Sequence, residues 1–229
     1  MITATIMSTD GNIDSGALYR LMSWLSPSFP VGAFSYSHGI EYAVEAGLVR
    51  DEESLRNWIA GGLAHEFGPV SGAMLRGAYE AKDRRALADA LEDARAFVPT
   101  LEFELEHRAQ GDAFMTAFRA AWGEALLPPG WVPYPSAVGI AAAALAIPLR
   151  PALIAFFHSV VSNLISAGLR TVPLGQTAGQ RVLAALQPEV IAAADATLRR
   201  DPRDIGAAAP AVEWCSIRHE TQYTRLFRA

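Results

Sequence analysis

The side chains best suited to metal or acid–base chemistry are five histidines, His38, His65, His107, His158 and His219, and a single cysteine, Cys215. Glu104 and His107 stand at the Glu-x-x-His spacing of helical di-iron sites, which puts both side chains on one helical face. Such a site needs a second copy and two more glutamates on facing helices, and the sequence has no second copy. Glu102, Glu104, Glu106 and Arg108 are read instead as a solvated charged face, with a helical metalloenzyme on Glu104 and His107 kept as the alternative. His65-Glu66 lacks the second histidine four residues on that a zinc-protease helix requires. Ser35, Ser37 and His38 are close in sequence, but neighbours on a helix point to different faces, and no GxSxG elbow is present. Cys215 has Arg218 and His219 nearby to favour its thiolate; a spectator thiol is the simpler reading. Neither a GxxxxGK phosphate loop nor a GxGxxG turn occurs. The nearest candidate, PLGQTAGQR at 173–181, could bring backbone N–H groups to an anion or simply join two helices tightly.

The elements that must hold these residues read as helix throughout, because apolar residues recur at three and four rather than two. Leu18, Leu21, Met22 and Leu25 form a first stripe that ends at SPSFPVG. A second helix is expected from about Phe34 to Ala46, with Gly47 as its cap. Asp51 reads as the N-cap of a third, which Gly68-Pro69 should end, and a fourth follows from Val70 to Lys82. DRRALADALEDARAFV is amphipathic and stops at Pro99, and Thr100 can cap the next helix, whose apolar stripe is read as Leu101, Leu105, Phe114, Met115 and Phe118. LLPPGWVPYPS is read as a loop. Helices over about 136–147, 151–169, 177–186 and 188–200 complete the body, with a loop at VPLG.

The implied fold class is all-α, one compact domain of about ten helices over residues 15–205. It follows an arm, 1–14, expected to be disordered, and precedes a partner-binding tail, 206–229. In that tail an alanine run between Gly206 and Pro210 leads into aromatic residues and arginines that suit an interface; a terminal strand or helix packed on its own domain fits the composition equally. The net charge of -5 and the single lysine, Lys82, argue against nucleic acid as a partner. The amino terminus has no basic segment followed by an apolar run, so no secretory signal is read there. The longest apolar stretch, 137–157, is interrupted by Pro148, Arg150 and Pro151, which suits two helices meeting at a corner better than a membrane span. A lone cysteine fits a reducing cytoplasm.

Four ordered segments carry a family resemblance. SPSFPVGAFSYSHGIEYAVEAGLV at 26–49 closely resembles the amino-terminal signature of UreF urease accessory proteins. LEFELEHRAQGDAFMTAF at 101–118 is similar to their central helix, LISAGLRTVPLGQTAGQRVLAAL at 164–186 to their Pro-Leu-Gly-Gln-Thr region, and HETQYTRLFRA at 219–229 to their tail. The resemblance implies a homodimeric cytoplasmic protein with no catalysis, metal site or tightly bound cofactor of its own. Its implied role is to bridge the UreD (UreH) scaffold and the UreG GTPase and to help couple GTP hydrolysis to nickel insertion into apo-urease, with nickel and GTP handled through these partners; a purely structural dimer is the other alternative. Carried over by position, His219, Glu220, Gln222, Tyr223, Arg225, Leu226 and Phe227 are expected to contact the scaffold and to order on binding. Arg170, Gly175, Gln176, Gln180 and Arg181 are expected to bind a partner or to position that tail. Pro30, Gly32, Phe34, Ser35, His38, Gly39 and Glu41 form an interface or, preferably, a structural turn. A solvent-tolerant tail also implies that deleting 219–229 leaves the body folded.

Overall fold

The computed structural model describes residues 13–123, 129–201 and 203–229, and among them every regular element is helical. The helices are α1 (Ser15–Trp24), α2 (Ile40–Glu45), α3 (Glu52–His65), α4 (Phe67–Glu80), α5 (Arg84–Ala96), α6 (Leu101–Ala121), α7 (Tyr134–Ala144), α8 (Leu149–Thr171), α9 (Gln176–Ala185), α10 (Gln187–Arg199) and α11 (Pro210–His219), with a 3-10 turn at Ala33–Ser35. Local signals account for most boundaries. Asp51 accepts from the Ser54 amide while Ser54 Oγ accepts from the Asp51 amide, a capping box that starts α3. Thr100 accepts from the Phe103 amide and starts α6. Gly47, at φ 72°, follows α2 as expected. The arm expected to be disordered lies outside the described residues except for Ile13 and Asp14, and Asp14 caps α1. The LLPPGWVPYPS loop also lies partly outside them, and its last residues, from Tyr134, are already helical.

Three expectations change. The helix expected over 34–46 is split, because His38 (φ 54°) and Gly39 (φ 79°) both take left-handed backbone and turn the chain before α2. Gly39 is required twice over: a Cβ there would also lie 3.2 Å from the Ser216 amide nitrogen of α11. Gly68-Pro69 does not end α3; it forms the first turn of α4, where the missing proline N–H costs nothing. On α6, Leu101 and Leu105 are exposed, whereas Glu102, Phe103, Gln110, Phe114 and Phe118 are buried and Glu106 nearly so.

The interior is built around α7 and α8. Residues 134–142 of α7 are all buried, wedged between α4 and α6. Gly139 permits this approach, since a Cβ there would collide with the Leu75 carbonyl oxygen. The 23-residue α8, with mean hydropathy 1.7 over its most apolar window, is long and apolar enough to cross a membrane, yet half of that window is buried by neighbouring helices. It meets α7 at Pro148, as the proline corner implied. Trp24, Phe114, Phe118, Phe156 and Phe157 fill the largest core cluster, with Trp24 edge-on to both Phe114 and Phe118. The tail does not stand apart from this body: α11 packs on α2 and α6, and Phe227 and Ala229 are buried.

Candidate functional site: a clamped tail and two histidine–carboxylate groups

The buried face of α6 changes character along its length. Glu102, Glu106 and Gln110 follow each other at four-residue steps in its first turns, and Phe114 and Phe118 continue the stripe. Each buried carboxylate meets a histidine from a distant part of the chain.

His219, at the end of α11, is fully buried. Its Nδ1 lies 2.8 Å from Glu102 Oε1 and its Nε2 lies 2.9 Å from Glu41 Oε2. An imidazole with both nitrogens facing carboxylates satisfies them only as the imidazolium, with both N–H groups donating. Burial opposes that charge, but the hydrogen bonds and charges of Glu102 and Glu41 outweigh it and raise the His219 pKa. Glu41 also accepts from the backbone amides of Leu226 (2.6 Å) and Phe227 (3.0 Å), and the Arg225 guanidinium stands 3.5 Å from Glu102. Two carboxylates therefore face two cations, and the group is balanced.

The tail is fastened further by its backbone. The Ser37 amide donates to the Ala229 carbonyl (2.6 Å) and the Arg228 amide to the Ser35 carbonyl (2.8 Å), pairing the last residues with the strand-like segment before the His38 turn. Arg170, from α8, lies between the rings of Phe34 (3.6 Å) and Phe227 (4.0 Å) and donates to the Phe34 carbonyl at 2.6 Å.

The second group is His38. Its Nε2 lies 2.9 Å from Glu66 Oε2 and its Nδ1 lies 3.2 Å from Glu106 Oε2, while its ring stacks on Phe103 at 4.0 Å. Glu66 reaches it from the α3–α4 junction. Burial lowers the His38 pKa, but the charges of Glu66 and Glu106, with their hydrogen bonds, overcome this and raise it to about 10. Glu106 in turn is held below its ordinary range: burial opposes, but the His38 charge prevails. One imidazolium against two carboxylates leaves this group with an excess negative charge.

Of the candidate residues, the fold brings together Phe34, Ser35, His38, Gly39, Glu41, Arg170, His219, Arg225, Leu226 and Phe227. It does not bring Gly175, Gln176, Gln180 and Arg181 to them. Those lie on α9 and its cap, where Arg181 pairs with Glu52 of α3 at 2.9 Å. Pro30 and Gly32 belong to the loop before the 3-10 turn. Glu220 and Gln222 are partly buried beyond α11, Leu226 is 60% exposed, and Tyr223 is wholly exposed. Glu104 faces solvent, so it shares no buried site with His107. Reading Glu102 and Glu106 as part of a solvated face is overturned, because both are turned inward onto histidines. The sequence reading missed Glu66, Glu102 and Glu106; Glu102 and Glu106 carried one signal, the four-residue phase they share with Gln110, Phe114 and Phe118, and Glu66 carried none. Cys215 is buried, and burial raises its thiol to about 11, which makes it an unreactive spectator.

Comparisons with known proteins point to one family. The UreF family model matches residues 49–187. The chain is 53% identical to the urease accessory protein UreF of Rhodopseudomonas palustris strain HaA2 over 93% of this chain and 94% of the relative. It is 49% identical to that of Bradyrhizobium sp. strain ORS 278 over 98% and 97%, and 47% identical to that of R. palustris strain BisB18 over the full length of both. This chain belongs to the UreF family of urease accessory proteins.

Proposed function

We propose that this protein is a non-catalytic assembly factor that bridges the UreD (UreH) scaffold and the UreG GTPase and couples GTP hydrolysis to nickel insertion into apo-urease. It works in the cytoplasm as a homodimer, and nickel and GTP are handled by its partners rather than by a tightly bound cofactor of its own. Its relatives' shared name as urease accessory proteins supports the urease connection. The observation that carries the bridging role is the tail. Its backbone is held by Glu41, Ser35 and Ser37, while Tyr223 and Leu226 point outward next to a helix whose Trp214 and Ile217 are also exposed. Apolar side chains on a rigid backbone bind a partner with little ordering cost. The tail thus acts as a preformed docking element, which replaces the expectation that it orders only on binding.

The same geometry changes the test. Deleting 219–229 would remove His219, Phe227 and Ala229 from the interior and leave Glu41 and Glu102 unpaired, so loss of binding would not separate docking from folding. The double variant Tyr223→Ala, Leu226→Ala touches only exposed side chains. It should fold normally and co-purify with UreD at least tenfold more weakly, with urease activation in the same cells falling in parallel. Full co-purification and activation by the double variant would overturn the docking role. Failure of the unaltered protein to join UreD or UreG would overturn the bridging function.

A further inference from the structure

A cavity of about 310 Å³ lies between the 25–34 loop, α6 and α8, and nothing in the assembly role accounts for it. That volume is at the lower end of small-molecule pockets. Its walls are of two kinds. Phe67, Tyr134 and Phe156 supply aromatic surface, while Glu106 and His107 on α6 face Ser162 and Asn163 on α8. His38 and Glu106 form part of the wall, and Glu66 meets the same imidazole from behind it, so two carboxylates face one imidazolium. Burial lowers the His107 pKa, against the pull of Glu106 and Glu66, and so disfavours the charge that would offset the excess. A buried, uncompensated negative charge is costly, and a cation in the adjoining space relieves it.

We propose that this cavity binds a small organic cation of the ammonium class, its charge set against Glu106 and its alkyl groups against the aromatic wall. The carboxylate has room for it, since each Glu106 oxygen has one partner, His38 or Gln110, and can accept a second. Aromatic faces beside a carboxylate favour an alkylammonium over a hydrated inorganic ion. Both His38 nitrogens are taken up by carboxylates, so His38 offers no free nitrogen to a transition metal. The inference concerns the cavity alone and stands or falls independently of partner binding.

The test is calorimetric titration of the full chain with choline, with its neutral carbon isostere 3,3-dimethylbutanol, and with nickel chloride. Choline should bind stoichiometrically and the neutral isostere at least tenfold more weakly. Glu106→Gln keeps the side chain's shape, leaves one carboxylate against one imidazolium, and should weaken choline at least tenfold. Ser162→Phe fills the space without touching the charges and should abolish binding as well. Equal binding of the isostere, no binding of choline at millimolar concentration, or choline binding that survives both variants would overturn the proposal. So would nickel binding that Glu106→Gln abolishes while choline shows none.

Discussion

Replacing Glu41 by alanine tests the tail clamp at its centre. The Glu41 carboxylate is the acceptor for three donors at once, His219 Nε2, the Leu226 amide and the Phe227 amide, at 2.9, 2.6 and 3.0 Å. A buried donor left without a partner costs about 1–3 kcal/mol, and breaking a buried ion pair costs about 3–5 kcal/mol. The Leu226 amide is only partly buried, and water can take over part of its bond. The net loss expected is therefore about 3–4 kcal/mol, toward the lower end of the range for a broken buried pair. Against a domain stability of about 5–15 kcal/mol that is a large fraction. Urea denaturation of the isolated chain should show a lower midpoint with an unchanged slope. Hydrogen exchange should show protection lost at Leu226, Phe227 and Arg228, and at Ser37, whose amide donates to Ala229. Glu41→Gln, which keeps one acceptor oxygen, should fall between. A loss below about 1 kcal/mol with those amides still protected would refute the reasoning that Glu41 fastens the tail.

Two further outcomes are expected. The His38 pKa is raised from 6.5 to about 10, so the folded state holds a proton that the unfolded state releases; this contribution is full below pH 6.5 and lost as pH rises to about 10. Urea midpoints measured across that window should decline more steeply for the unaltered protein than for His38→Gln. On α6, Leu101→Gln and Leu105→Gln change exposed positions and should each shift stability by no more than about 0.5 kcal/mol. A loss of about 2 kcal/mol or more, as for a core leucine, would restore the apolar-stripe reading of that helix.

The sequence alone determined the class of fold and most element boundaries, because these depend on short-range chemistry. Asp51, Thr100 and Gly47 mark helix ends through bonds or dihedral angles within a few residues of themselves, and Pro148 separates α7 from α8 by the same local logic. Four ordered motifs also sufficed for the family. What the sequence could not determine was which face of α6 turns inward. Local rules place Leu101 and Leu105 inside and the glutamates outside, and they hold only while a buried carboxylate has no partner. Here the partners come from 117 residues away for Glu102 and 68 for Glu106. The left-handed turn at His38 and Gly39 is explained in the same way, since Glu66 and Glu106 hold the imidazole and α11 packs against the glycine. Burial of a charge is decided by the charge that meets it, and only the tertiary structure brings His38 and His219 to the carboxylates that make their burial stable.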